Sequence, residues 1–498
     1  MNLDLKNLPD DPVLLKQIII MLVDEIQHLK EEITLLKKQL FGKSSEKNIK
    51  ATQSKTEVVT VDNNTNNEAL GGKDKKQPKR QKLPDHLPRE QVTLDPPSIC
   101  PECGGSKFRT IDQDTSEVLE YVPSTFKVIR YIRPRCACTN CEKIVQAYPP
   151  SLAISKGKAG SGLLAHVLIQ KYCNHLPMYR QSQIYARESI DLPRSTLSSW
   201  AIQCSTLLEP LVAELRKTIF SSSHIHGDDT TVKVLAPGTG KTKVGRIWTY
   251  VRDGRSYSDK TPPAVCYFYS PDRKGERPRE HLENFKGTLH ADAYSGYDKL
   301  YESNTIDEAA CWAHTRRKFY EITIASNNAK IANATLEQMG KIYQIEASIK
   351  GLAPEDRLKA RQEKSKKLVK DLFTDFKTAV TKLPKQSATR KAINYAVNNQ
   401  VALMRFLEDG KIQIDNNIAE RAMRGVAVGR KNWLFAGSDE GGRTAANIYS
   451  LIETAKLIGV NPQLYMARVL DIIQDYNSSK LAELLPWNLL IPNSINTS

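Results

Sequence analysis

At 498 residues the chain is too long for one hydrophobic core, because single cores stop growing near about 250–300 residues, so several domains are expected. Its 72 Lys and Arg against 56 Asp and Glu leave a formal net charge of +16, which makes a polyanion the first partner to test; an unspecialised basic surface is the plain alternative. No apolar run reaches the roughly 18–20 residues of a membrane span, "MNLDLKNLPDDP" lacks the layout of a secretion signal, and nine Cys in so long a chain suit a reducing compartment and a metal better than a disulfide framework, so a soluble, cytoplasmic protein is expected.

Residues 13–41 place Leu15, Leu22, Leu29 and Leu36 seven apart, with Ile19, Ile26, Ile33 and Leu40 at the alternate position. β-branched residues at one core position and Leu at the other favour a parallel two-stranded coiled coil, so 1–47 is expected to pair two copies of the chain. A helix docked on its own domain would use the same pattern. Residues 48–90 lose the periodicity and read as a disordered basic linker, in which Lys73 to Lys82 suit loose phosphate contact or simple solvation.

The next domain, 91–150, opens on "CPECGG" and closes on "CACTNC". Cys100 and Cys103 with Cys138 and Cys141 make two C-x-x-C knuckles able to close a tetrahedral Zn²⁺ site, with Cys136 as a competing fifth thiol. The intervening "SEVLEYVPSTFKVIRYIRPR" is strand-like, so a zinc ribbon is expected, whether it reads DNA or only staples the domain.

From 151 to 220 the pattern turns helical. Pro193 opens the third helix after a tight turn, which fits a helix-turn-helix presenting Arg194, Ser195, Thr196 and Ser199 to a DNA groove, or equally an all-helical linker with Trp200 in its core. Residues 221–458 begin with strands predicted at 224–235, 245–253, 264–270 and 287–294, continue through a highly charged helical stretch, 311–408, and are followed by a helical tail, 459–498. The whole is a multidomain α+β chain without tandem repeats.

Two predicted strands carry isolated acids, Asp228 (beside Asp229) in "HGDDT" and Asp292 in "HADAYSGY". A carboxylate on a core strand is costly unless it is paired or holds a cation, and two such acids suit hard divalent ions that ask for a third ligand. The segment "IDNNIAERAMRGVAVGRKNWLFAGS" offers two acids. Asp415, with Asn416, precedes a helical pattern and reads as a helix cap. Glu420 lies inside the helix, where it is either a metal ligand or the i,i+4 partner of Arg424.

These acids, with "LFGKSSEK", the two knuckles, "CWAHTRRKFYE" and "DNNIAERAMRGVAVGRKNWLFAGS", resemble the IS66-type insertion-sequence transposases over nearly the whole chain. The resemblance implies an RNase H-like α/β core of the DDE class with a helical insertion. It also implies two Mg²⁺ or Mn²⁺ ions, and strand cleavage and transfer at element ends without a covalent protein–DNA intermediate. Asp228, Asp292 and Glu420 match the catalytic triad; the family has Glu after its first Asp where this chain has Asp229, which leaves open which of the pair faces metal. Cys311 and His314 resemble a C-x-x-H motif, read as a structural or transition-state-supporting histidine in place of a second zinc site. Arg316, Arg317 and Lys318, and around Glu420 the cations Arg421, Arg424, Arg430 and Lys431, are expected to face phosphate. Partners implied are double-stranded DNA at element ends and target, a second copy of the chain, and companion proteins of the same element, in a bacterial, nucleoid-associated setting. A non-catalytic DNA-binding regulator with a decayed core is the rival reading.

Overall fold

The protein is described here by a computed structural model, which covers residues 150–155, 157–326 and 329–490, shorter stretches at 126–133, 135–137 and 144–146, and part of 11–29. The linker 48–90, the knuckle residues Cys100, Cys103, Cys138 and Cys141, and the heptad residues beyond Leu29 lie outside the described residues. Two compact units separate, 49–149 and the remainder.

In the smaller unit, β1 (Arg135–Ala137) and β2 (Ile144–Gln146) form an antiparallel pair that brackets the second knuckle in sequence, with Cys136 opposite Val145. The stretch 126–133, expected as part of a strand, carries no strand; Val128, Ile129, Tyr131 and Ile132 stand open, Val128 at 96% exposure. β-branched residues form strands where a neighbouring strand takes up the backbone groups and the apolar face, and no strand pairs with this stretch among the described residues. In the N-terminal segment the described residues from Pro12 to Leu29 are helical, and the heptad side chains Ile19, Leu22, Ile26 and Leu29 are 39% to 57% exposed.

The larger unit starts with α1 (Ser161–Tyr172), α2 (Met178–Arg187) and α3 (Arg194–Phe220). Its sheet follows: β3 (His224–Ala236), β4 (Lys241–Arg252), β5 (Ala264–Ser270), then α4 (Glu276–His281), β6 (Gly287–Ala291), α5 (Asp298–Tyr301) and β7 (Ile306–Ala310). Strand order is β5-β4-β3-β6-β7; the first three are antiparallel, and β3, β6 and β7 run parallel. The short turn Pro237–Gly240 makes the β3–β4 hairpin possible, with Gly238 and Gly240 at φ +80° and +66°. That hairpin outruns its neighbours: β6 pairs β3 only as far as His226, and β5 pairs β4 only from Arg246 onward, so the rest projects as a two-stranded arm. Strand β7 escaped prediction because "IDEAA" offers one β-branched residue and two acids; what makes it a strand is β6 alongside and the burial of Ile306, Ala309 and Ala310.

Helix α12 (Asn417–Trp433) is followed by α13 (Asp439–Leu457) and α14 (Pro462–Ile472). α13 is buried along most of its length and covers the free edge of β5: the Thr454 and Ser450 hydroxyls accept the Val265 and Tyr267 N–H groups at 3.1 and 2.8 Å. An edge strand closed in this way has no ladder to offer another chain. Packing is continuous across the boundary expected at residue 220, since α3 lies on β5 and α13, and α1 on α14. The reason is in α3 itself, whose Leu208, Leu211, Val212, Leu215 and Ile219 are fully buried and need the sheet layer as their core.

Between β7 and α12 sits the helical insertion: α6 (Trp312–Ala325), α7 (Lys330–Ser348), α8 (Pro354–Ala360), α9 (Lys366–Lys382), α10 (Ala388–Asn398) and α11 (Gln400–Met404). It has its own core, with Trp312, Phe319, Met339, Phe373, Phe376 and Phe406. A π-helical turn, Arg361–Ser365, carries the Arg361 guanidinium inward, where it makes two 2.7 Å bonds to Glu346 and donates to the Phe406 and Asp409 carbonyls. Arg361→Met is expected to cost about 3–5 kcal/mol in urea unfolding, because Glu346 stays buried without its main cation; adding Glu346→Leu should recover much of the loss.

Candidate active site

Strand register brings the first two acids together. β3 and β6 pair His224 with Thr288 and His226 with His290, a constant offset of 64 residues, and the same offset separates Asp228 from Asp292. Each acid lies two residues beyond the last paired histidine, on the same face by strand alternation, where β6 ends and β3 runs on into the hairpin with β4. Beneath them the His226 and His290 rings stack at 5.0 Å, both buried; burial holds His226 down to about 4 and His290 well below the usual imidazole range, so both are neutral at pH 7.

Asp228 and Asp229 differ in their partners. Asp229, 1% exposed, is taken up by two arginines: Arg246 reaches it at 2.8 Å and Arg273 at 2.7 Å. Asp228 has no such cation. Burial pushes its carboxyl up to about 7, partly offset by the Asp229 N–H it accepts at 2.7 Å, and the nearby charges of Asp292, Asp229 and Glu420 push the same way as burial. Burial also raises Asp292, against the Arg273 guanidinium 3.7 Å away. Arg273 thus spans Asp229 and Asp292 while lying 3.8 Å over the Tyr294 ring.

Glu420 arrives from the other side of the insertion, on the first turn of α12. The insertion closes where it opened: the Trp312 N–H donates to the Ile414 carbonyl at 3.1 Å and the Asn416 N–H to Cys311 Sγ at 3.2 Å. Asn416 then fixes the helix to the sheet. Its amide donates to the Gly227 carbonyl at 2.8 Å, and its oxygen meets His226 Nδ1 at 3.0 Å. This corrects the cap reading for Asn416, whose side chain makes no cap bond because it is turned inward and is 1% exposed. Asp415 does accept the Asn417 N–H, at 3.1 Å, from the position before the cap. Asn416→Ala leaves the Gly227 carbonyl and the His226 ring without partners and is expected to cost about 2–3 kcal/mol by chemical denaturation.

No Glu420–Arg424 bridge forms among the described residues; Glu420 instead lies 3.7 Å from His314 Nε2. Cys311, His314 and Glu420 have ligand atoms all within 4.8 Å of one another, a grouping that the sequence, which shows only the C-x-x-H pair, did not reveal. The Cys311 thiol is buried, pushed up to about 11, and engaged by the Asn416 N–H, so it serves the fold, while His314 is left to steer Glu420. Asp228 and Asp292 stand outside that grouping; Asp292 and Glu420 are each 33% exposed, open enough for a hard divalent cation to reach, and among the described residues no cation pairs with Asp228.

Of the cations expected at phosphate, Arg421, Arg424 and Lys431 are exposed along one stripe of α12. Arg194 is exposed on the first turn of α3 and Arg317 on the second turn of α6, and Arg316 is half-buried. Lys318 lies 4.3 Å over the Tyr395 ring. Arg430 turns to the sheet, donating to the Thr230 hydroxyl at 2.7 Å and the Thr231 carbonyl at 2.6 Å.

A family model described as "Transposase IS66 family" matches residues 156–444, and three further ones, "zinc-finger binding domain of transposase IS66", "Transposase C of IS166 homeodomain" and "IS66 C-terminal element", match 97–142, 28–92 and 450–487. Similar chains include two proteins of Sinorhizobium fredii that carry only the name uncharacterized protein. y4jD is 36% identical over 98% of both chains, and y4hP is 38% identical over 83% of this chain and 77% of its own.

Proposed function

Because this chain belongs to the IS66 family of transposases, we propose that its sheet is an RNase H-like catalytic core of the DDE class, cutting and joining DNA at the ends of an insertion sequence. The observation that carries the reading is that strand register puts Asp228 beside Asp292 while the charge of Glu420 also bears on Asp228, whose carboxyl burial pushes up to about 7. The strand order, three antiparallel strands followed by two parallel ones, with Asp228 on the central strand β3 and Asp292 just past the end of its neighbour β6, supports it. Two Mg²⁺ or Mn²⁺ ions held by the three carboxylates would supply Lewis acidity to the attacking and leaving oxygens of an in-line phosphoryl transfer.

The chain's own residues contribute position and charge. Water attacks the phosphorus at the element end and breaks one phosphodiester, the 3′ oxygen leaving with the strand; that 3′-hydroxyl then attacks a target phosphate and displaces the target's own 3′ oxygen, so the second step breaks one phosphodiester and forms another. β3 and β6 hold two carboxylates rigidly, Asn416 sets the third through α12, and His314 limits the swing of Glu420. Arg194, Arg316, Arg317, Arg421, Arg424 and Lys431 neutralise backbone phosphate, while Arg430 braces α12 against β3.

Zn²⁺ in the knuckles Cys100, Cys103, Cys138 and Cys141 belongs to the same reading, with the matched zinc-finger description in support. So does a homodimer through the heptad helix, whose exposed Ile19, Leu22, Ile26 and Leu29 lack a covering surface in the single chain. Companion proteins of the element and a nucleoid setting in the cytoplasm complete the proposal; no helix among the described residues is long and apolar enough to cross a membrane. The test is full-length protein with Mg²⁺ and a duplex carrying the DNA that flanks its own gene. Strand breaks at the element end followed by joining of the 3′-hydroxyl support the transposase; sequence-specific binding without any breakage marks a regulator instead.

A further inference from the structure

We propose that Leu434 and Phe435 form an apolar wedge that enters the base stack of bound duplex DNA, about six base pairs from the phosphate that is cut. The inference rests on the transposase reading. It concerns the apolar run that closes the basic segment after α12, which metal and phosphate contacts leave unexplained.

Leu434 has φ +63° and ψ −46°, and the Phe435 N–H donates to the Trp433 carbonyl at 2.7 Å, so the helix breaks off in a tight three-residue turn of the hand that disfavours L-residues. A glycine would sit there without strain, yet a large apolar side chain occupies the position and stands 62% exposed, with Phe435 beside it 41% exposed. Strained positions of this kind persist only where their surroundings hold them. Here the hold comes from both sides: the Ala436 N–H donates to the Lys233 carbonyl at 2.8 Å and the Leu235 N–H to the Ala436 carbonyl at 2.9 Å, while Arg430 ties the last turn of α12 to Thr230 and Thr231. The pair is therefore presented on a rigid mount formed by α12 and the β3–β4 arm.

The surroundings identify the occupant. Arg421, Arg424 and Lys431 line the exposed stripe of α12 that ends at Leu434, and Lys233 is exposed on the arm beside Ala436. A protein partner's apolar core avoids lysines at its centre, whereas a wedge ringed by cations is how proteins pry open a base step while gripping its phosphates. Distance fits too. From Glu420 to Leu434 is 14 residues of helix, about 21 Å, and from Asp228 to Val234, which bridges Ala436, is six residues of strand, about 20 Å. Both routes correspond to about six base pairs along a duplex lying on the basic stripe, at about 3.4 Å per pair.

The experiment places 2-aminopurine at successive positions of a duplex carrying the gene's own flanking end and follows its fluorescence on adding the full-length chain. A rise of about threefold or more is expected at one step about six pairs from the cut, lost in the Leu434→Ala/Phe435→Ala double variant and kept in Phe435→Trp. The double variant should cut the paired duplex about tenfold more slowly, and a duplex with a mismatch at that step should restore it to within about threefold. Both side chains are exposed, so the truncation leaves the fold intact, and a melting curve checks this. Wild-type cleavage without any brightened step, or a slow variant that the mismatch fails to rescue, overturns the wedge while leaving the transposase reading standing. A change of oligomeric mass in the double variant with cleavage unaltered makes the pair a protein interface and also overturns it. A wild-type chain that neither binds nor cuts the duplex removes both.

Discussion

Glu420→Gln should bind element-end DNA with wild-type affinity and lose strand cleavage in Mg²⁺ by about a thousandfold or more, equivalent to about 4 kcal/mol of transition-state stabilisation. The substitution keeps the size and helical preference of the side chain, so α12 and its anchor at Asn416 stay where they are. What changes is one negative charge in a group of three carboxylates. The sequence offered a competing role, an ion pair with Arg424, and the two roles separate by comparison. Arg424 is exposed and makes no bridge to Glu420 among the described residues, so Arg424→Gln should leave the cleavage rate of bound DNA nearly unchanged, weaken binding, and lower the salt dependence of affinity by about one counterion. Single-turnover cleavage and anisotropy titrations over a salt series read both effects. Equal cleavage by Glu420→Gln and wild type would remove Glu420 from the chemistry.

How much of this was legible in the sequence depends on the range of each interaction. In the five-stranded sheet, β3, β4 and β5 could be read because they are dense in β-branched and aromatic residues, and β6 fell within the segment expected at 287–294; β7 could not, because "IDEAA" becomes a strand through β6. The acids could be named but not sorted. Asp228 and Asp229 are neighbours with the same chemistry, and what separates them is Arg246 and Arg273, 17 and 44 residues further on, which no local pattern connects to them. Asn416 shows the opposite failure. Its position before a helix made a cap the natural reading, and only the approach of β3 reveals a buried bolt between sheet and helix. Cys311 and His314 could be seen as a pair, but Glu420, more than a hundred residues on, reaches them only because the insertion returns to its own starting point. Leu434 and Phe435 are apolar by sequence alone; their strained turn and exposure belong to the folded chain.

Asp228→Asn should stabilise the metal-free protein at pH 8 by on the order of 2–4 kcal/mol while abolishing cleavage, and should have no stabilising effect near pH 4. In the unfolded chain this carboxyl loses its proton near pH 4, as any aspartate does; in the folded chain burial and the neighbouring carboxylates hold the proton until about pH 7. Between those values the unfolded state has released a proton that the folded state still binds, so stability falls as pH rises, and above about 7 the full penalty is present. Asparagine carries no such charge and escapes the penalty, which is why its advantage grows from pH 4 to pH 7 and then levels off. Divalent cation should oppose the trend: adding Mg²⁺ at pH 8 raises the melting temperature of wild type more than that of Asp228→Asn, because a cation that binds only the folded form stabilises it by mass action. Melting temperatures across pH 4 to 8, with and without Mg²⁺, test every part of this. Parallel curves for the two proteins would mean that Asp228 does not lie among the other carboxylates. A rising difference that Mg²⁺ reduces would mean that the fold carries a standing electrostatic cost at this position, the kind of strain a site retains when its charges are arranged for a cation rather than for stability.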